Sequence, residues 1–241
     1  MKVALFVTCL VDQLYPNIGT SVVKVLRRVG CEVLFDDRQT CCGQPAYNTG
    51  YRKEARKFAE RFIEIFEDSD AEAIVSPSGS CVSMVKHFHE LFPDSPEWRS
   101  RADAIADETH EFTSFLVNVL KIDDVGASFS GRVTWHDACH GLRELGLKDE
   151  PRKLLKNVRN AHYVELKDSE ACCGFGGTFS VKYPEISVAI ADKKVQNIQE
   201  SGVDAVVACD ASCLMQIGGR LSRLGSGVRT LHIAEILASQ E

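Results

Sequence analysis

Eight of the ten cysteines in this chain fall into two parallel series, Cys9, Cys41, Cys42, Cys81 and Cys139, Cys172, Cys173, Cys213. The steps between them are 32, 1 and 39 residues in the first series and 33, 1 and 40 in the second. The flanking residues repeat as well. Thr40-Cys41-Cys42-Gly43 matches Ala171-Cys172-Cys173-Gly174, and Ser80-Cys81-Val82-Ser83-Met84 matches Ser212-Cys213-Leu214-Met215. Self-similarity at this scale is an internal duplication, so each half must be one structural unit used twice. Cys31 and Cys209 have no counterpart in the other copy; Cys31 reads as a small buried side chain, and Cys209, in a C-x₃-C arrangement with Cys213, as a ligand or a neighbour of a site.

Hydrophobic patterning shows what the unit is. Residues 2–8 are β-rich and apolar, and a helical pattern follows through Val22, Val23, Leu26 and Val29. Residues 32–35 read as a second strand and Tyr51 to Phe66 as an amphipathic helix. Residues 73–76 form a short buried strand with a helix beginning near Cys81. The second half repeats the order, with strands near 131–136, 162–166 and 204–208 and helices near 150–158, 184–201 and 211–223. A last strand near 228–231 and a helix from 232 close the chain. Strands alternating with helices give an α/β fold, here two homologous βα-repeat halves with mainly parallel sheets, related by pseudo-two-fold symmetry. The expected organisation is a first repeat over 1–95 and a second over 131–241. Between them, 96–130 is a helical elaboration and connection with an apolar helix through Phe112, Phe115, Leu116 and Val119.

This order places every duplicated cysteine just after a strand, outside the regular elements. In a parallel sheet the carboxyl ends of the strands share one edge, where ligands bind. Four thiols from three strand ends therefore converge in each half. Sulfur-only ligation suits zinc or an iron–sulfur cluster. Zinc knuckles space their cysteines two to four residues apart, whereas adjacent cysteines serve separate irons of a cluster more readily. Gly43 and Gly174, lacking Cβ, let the backbone turn sharply after each pair and aim N–H groups at sulfur. A structural zinc module that scaffolds other proteins stays open as the competing reading.

Composition removes other classes. The net charge of −6 offers no broad basic surface for nucleic acid. No stretch of about 18 apolar residues exists for a membrane span. The apolar start is too short for a secretory signal and lacks a cleavage site, so it reads as the first strand. The expected compartment is the reducing cytoplasm, where cysteines at this density are metal-binding or catalytic more often than disulfide-bonded.

Two segments, His136-Asp137-Ala138-Cys139-His140-Gly141-Leu142-Arg143-Glu144-Leu145 and Cys172-Cys173-Gly174-Phe175-Gly176-Gly177-Thr178-Phe179, continued by Lys182, Pro184, Glu185 and Ile186, carry a family resemblance. The chain resembles the CCG-domain family, named for its duplicated Cys-Cys-Gly motif, and within it the lactate utilisation type. That family includes the B subunit of heterodisulfide reductase and iron–sulfur subunits of glycolate and glycerol-3-phosphate oxidising enzymes. The resemblance implies iron–sulfur clusters, one [4Fe-4S] per repeat, ligated by Cys9, Cys41, Cys42 and Cys81 and by Cys139, Cys172, Cys173 and Cys213. It implies a non-autonomous redox subunit that takes part in oxidising L-lactate to pyruvate with sister subunits, one of them ferredoxin-like; glycolate and glycerol 3-phosphate are the alternative substrates. Heterodisulfide reductase B has a fifth cysteine per copy, where this chain has Ser78 and Asp210. Disulfide cleavage is not expected, and Asp210 reads as a solvated loop residue, with an oxygen ligand as the alternative.

No flavin or nicotinamide site is evident: Gly174-x-Gly176-Gly177 lacks the spacing and acidic residue of the dinucleotide fingerprint. His136 and His140 flank Cys139. His140 is the candidate hydrogen-bond donor to a cluster sulfur, with Asp137 orienting a neighbour. Arg143 is a candidate for a substrate carboxylate or a surface helix residue, while His87 and His89 read as solvated.

Overall fold

A computed structural model describes residues 1–240. The chain divides into two compact units, Met1–Phe115 and Leu116–Glu241, the boundary falling inside the 96–130 segment.

The first unit runs β1 (Lys2–Leu5), α1 (Cys9–Leu14), α2 (Pro16–Arg28), β2 (Glu32–Leu34), α3 (Gln44–Asn48), α4 (Arg52–Glu67), β3 (Ala73–Ser76) and α5 (Gly79–Lys86). A 3₁₀ turn (Phe88–Leu91), α6 (Pro96–Glu108), β4 (Thr109–Glu111) and α7 (Phe112–Ser114) complete it. Its four strands are all parallel in the order β2-β1-β3-β4, with Val3 opposite both Val33 and Ala73. β1 and β3 are buried on both faces, as strands covered by helices on either side must be. Phe6 and Phe62 meet edge to face at 4.8 Å, and Phe62 and Phe88 at 5.4 Å, in the core beside the sheet.

After a π turn (Phe115–Val119), the second unit runs β5 (Ser128–Trp135), α8 (Cys139–Arg143), α9 (Asp149–Lys156), β6 (Arg159–Tyr163), α10 (Thr178–Lys182) and α11 (Pro184–Glu200). It ends with β7 (Ala205–Ala208), α12 (Ala211–Arg223), β8 (Arg229–His232) and α13 (Ile233–Ala238). The strands are again all parallel, in the order β6-β5-β7-β8. Ala205-Val206-Val207-Ala208 is buried throughout. In both sheets the order reverses at the first strand of the unit: one connection runs to one side, and the next returns to the other. That reversal opens a crevice at the carboxyl ends of β1 and β3, and of β5 and β7.

Three expectations need correction. A strand stands ahead of the expected apolar helix: Thr109–Glu111 forms β4, the counterpart of β8, and the helical stretch through Phe112, Phe115, Leu116 and Val119 divides into the short α7 and a π turn. Thr-His-Glu has no apolar run to mark a strand, and pairing with β3 fixes it as one. The edge strand β6 lies at 159–163 rather than 162–166; its Arg-Asn-Ala-His-Tyr sequence has no apolar run to mark it. The cysteines are not all outside regular elements. Cys9 opens α1 and Cys139 opens α8, while Cys81 and Cys213 occupy the first turns of α5 and α12.

Candidate metal centre

Each unit gathers its four duplicated cysteines at the carboxyl edge of its sheet. In the first, Cys9 follows β1, Cys41 and Cys42 lie in the loop after β2, and Cys81 follows β3. Cys9 Sγ and Cys41 Sγ stand 3.6 Å apart. The Cys42 thiol touches both Cys41 and Cys81, which links all four sulfurs. Ser78 caps α5 by accepting the Cys81 N–H at 3.3 Å, and Gln44 Nε2 donates to Ser80 O at 2.9 Å.

The second centre repeats this pattern. Cys139 meets Cys172, Cys172 meets Cys173, and Cys173 Sγ lies 3.3 Å from Cys213 Sγ. All ten cysteines carry free thiols. Cys31 is buried at the start of β2, and Cys209 Sγ lies 3.8 Å from Asp210 Oδ2.

The glycine after each pair has a definite task. Gly43 and Gly174 adopt φ of +83° and +89°, the left-handed region that favours glycine. The turn directs Gly43 N–H to Cys41 Sγ at 3.4 Å and Gly174 N–H to Cys172 Sγ at 3.3 Å. Hydrogen bonds from the Cys42 and Cys9 thiols, and from the Gly43 N–H, pull Cys41 down to about 3. Those from Cys139 and Cys173, with the Gly174 N–H, pull Cys172 down to about 2. Their donors Cys9, Cys42, Cys139 and Cys173 are pushed up in return. In the second centre Cys213 is lowered too, to about 6, chiefly by the Cys173 thiol. The lowered sulfurs favour the thiolate, the form that binds metal.

The surroundings of the two centres differ. Cys42 and Cys81 sit in an apolar cluster with Phe6, Phe62, Met84 and Phe88. The second centre has buried polar neighbours. Asp210, at the N-cap of α12, is 2 % exposed rather than solvated, and its charge faces Cys139 and Cys213. Lys194 is fully buried, with Nζ donating to the carbonyls of Asp168 and Ser169 at 2.8 and 3.0 Å.

His136 follows β5 and is 1 % exposed, with Nδ1 and Nε2 both lacking a hydrogen-bond partner. Leaving a buried polar group unpaired costs about 1–3 kcal/mol, so such a group calls for an explanation. One nitrogen of His136 and the sulfurs of Cys173 and Cys213 all lie within 4.8 Å of one another.

Other candidates are placed less centrally. His140 Nδ1 lies 3.9 Å from Cys139 Sγ and its Nε2 4.0 Å from Glu144. Arg143 is exposed. His87 and His89 pair with Glu90 and Asp103 at 3.0 and 3.6 Å. Sequence reasoning gave His136 no specific role and missed Lys194 altogether. For His136 a signal was present: it stands three residues before Cys139, where the first repeat has Phe6 before Cys9. Lys194, inside a long helix, left none.

The donor chemistry fits a sulfur-ligated metal group: four cysteine sulfurs per unit, backbone N–H groups on sulfur, and an orphaned buried imidazole. The arrangement is compatible with iron–sulfur binding. Among the described residues, no helix is long and apolar enough to cross a membrane.

Known proteins share this pattern. The CCG cysteine-rich domain matches twice, over residues 3–86 and 133–218. The chain is 53% identical over 236 residues to lactate utilization protein A of Exiguobacterium sp. (strain ATCC BAA-1283 / AT1b), covering 98% of this chain and 96% of that protein. It is 50% identical over 240 residues to the proteins of that name from Geobacillus sp. (strain WCH70) and Bacillus subtilis (strain 168), with 100% of both chains covered in each case. The duplicated cysteine pattern, the paired parallel sheets and the full-length similarity together place this chain in the CCG cysteine-rich family that includes these relatives.

Proposed function

We propose that the chain serves lactate utilisation as the iron–sulfur electron-transfer subunit of a cytoplasmic L-lactate-oxidising complex. Cys9, Cys41, Cys42 and Cys81 hold one [4Fe-4S] cluster, and Cys139, Cys172, Cys173 and Cys213 hold a second. The observation that carries this reading is the convergence of four thiols at each strand-order reversal, with an adjacent pair on a left-handed glycine turn. The relatives' name supplies the metabolic context.

A bound cluster supplies one-electron storage and release. The chain's own residues do the rest. Cysteine thiolates ligate it, and the Gly43 and Gly174 N–H groups offset negative charge on the sulfurs of Cys41 and Cys172. Phe6, Phe62 and Phe88 pack in the apolar cluster that buries Cys42 and Cys81. Oxidation of lactate itself falls to the assembled complex, whose sister subunits include a ferredoxin-like one.

The test is anaerobic purification followed by metal and sulfide analysis. The expected protein is brown, with iron and acid-labile sulfide near two clusters per chain, and lactate-dependent reduction of its clusters requires the sister subunits. Glycolate or glycerol 3-phosphate in place of lactate separates the substrate alternatives.

One observation favours a second reading, a zinc-binding scaffold. Two thiolates on one tetrahedral zinc stand about 3.8 Å apart, given Zn–S bonds of about 2.3 Å. The separations of 3.6 and 3.3 Å are close to that value. Colourless protein with stoichiometric zinc and no redox signal would establish the scaffold instead.

A further inference from the structure

We propose that His136 is a nitrogen ligand of the metal group held at the second centre, making that centre chemically unlike the first. This rests on the reading of the cysteine centres as metal sites.

A buried histidine in a protein core normally spends both ring nitrogens on hydrogen bonds. His232, fully buried in the same unit, does so: Nε2 lies 3.0 Å from Cys209 O, and Nδ1 accepts the Ala234 N–H at 3.1 Å. His136 has no hydrogen bond at ordinary distance from either nitrogen, and the group its ring acts on is the Cys213 thiol, whose ionised form it favours. Its neighbour Asp137 does not serve it, being hydrogen-bonded to Arg152 and Trp135. What His136 does face is sulfur, with Cys173 and Cys213 inside the 4.8 Å group. An imidazole beside two thiols is a nitrogen donor for iron or zinc.

The duplication supplies an internal comparison. Phe6 holds the matching position three residues before Cys9, fully buried against Phe62 and Phe66. An aromatic carbon ring in one copy and an imidazole in the other occupy the same place relative to the strand-end cysteine. Packing alone asks for an apolar ring there, as the first unit has. The second unit instead places a polar ring whose only unmet capacity points to metal ligation. The first centre thus offers four sulfur donors, and the second offers four sulfurs and one nitrogen. Imidazole in place of a thiolate raises the potential of an iron–sulfur centre, so with His136 taking the place of one of the four sulfurs the second centre is expected to have the higher potential.

The test uses the full chain labelled with ¹⁵N-histidine. One sample is loaded anaerobically with ferrous iron and sulfide and then reduced, and a parallel sample is loaded with cobalt(II) alone. Pulsed electron paramagnetic resonance should show one strongly coupled histidine nitrogen. That coupling should vanish in His136→Phe and persist in His140→Gln. His136→Gln serves if the phenylalanine variant does not fold, and the wild-type spectrum needs no variant. Metal-loaded protein with only weak peptide nitrogen couplings, or a coupling that survives in the folded His136 variants, overturns the assignment and leaves the cysteine centres standing. Failure to take up either metal overturns both. Nitrogen-coupled cobalt without iron uptake supports His136 and overturns the cluster.

Discussion

Arg152 closes on Asp137 through two parallel hydrogen bonds, Nη2 to Oδ2 at 2.7 Å and Nη1 to Oδ1 at 2.9 Å. Trp135 Nε1 adds a third at 2.7 Å, and the Asp137 side chain is 1 % exposed. Burial alone would raise this carboxyl, but the hydrogen bonds from Arg152, Ser169 and Trp135 outweigh it and hold Asp137 below the usual carboxylate range. An anion thus stays ionised two residues from Cys139. It fixes the strand end from which that cysteine projects.

Breaking the pair from one side leaves a buried charge without compensation. Arg152→Met should therefore destabilise the protein by about 3–5 kcal/mol. The double variant Asp137→Asn/Arg152→Met should lose much less. Urea denaturation of the three proteins measures both, and equal losses in the single and double variants would contradict the pairing.

Side chains at the paired glycines should be poorly tolerated. The left-handed backbone costs an L residue about 1–2 kcal/mol at either position. A Cβ at Gly174 would lie 2.5 Å from the Ser187 carbonyl oxygen, and one at Gly43 would lie 2.9 Å from Phe58 Cβ. Gly174→Ala is expected to lose more stability than Gly43→Ala. Each should also lower metal retention at its own centre by shifting an N–H from sulfur, read as metal content per folded chain.

Metal content should divide by unit. Cys41→Ser/Cys42→Ser and Cys172→Ser/Cys173→Ser should each remove about half of the bound iron and sulfide, since the ligands of one centre lie within one unit. Cys31→Ser, whose buried sulfur stands at the start of β2, should keep the full complement. Loss of all metal from one double variant would point to a single shared group.

Lys194 gives stability a pH dependence in the alkaline range. Burial pulls its amine down to about 8 from the ordinary 10.5. Between those values the unfolded chain holds more protons than the folded one, so this group makes stability rise with pH across that window. Below about pH 8 both states are protonated and its contribution is flat. The rise amounts to something on the order of 3 kcal/mol. Urea unfolding of reduced, metal-free protein at pH 8, 9 and 10 should show it in the wild type relative to Lys194→Met. A constant difference between the two proteins would remove Lys194 as the source.

Much of the fold was legible because duplication is a property of the chain itself. Two matching cysteine series, alternating strand and helix periods and glycines after each pair point to repeated α/β units with sulfur-rich edges, and the sheets have that form. β4 and β6 were harder to read. The first is Thr-His-Glu and the second Arg-Asn-Ala-His-Tyr, and neither has an apolar run to mark it.

The sequence by itself determined which atoms are available as ligands and that they come in two sets, because spacing and strand order bring remote thiols to one edge. Only the tertiary structure decided what surrounds each set. Burial and pairing depend on neighbours distant in sequence, so the chain alone could not show that His136 lacks a partner, that Arg152 neutralises Asp137, or that Asp210 and Lys194 lie inside. The same four-cysteine pattern ends in an aromatic environment in one unit and a polar one in the other. Apolar rings and buried polar groups act on sulfur through space rather than along the chain, which is why only the fold could assign them.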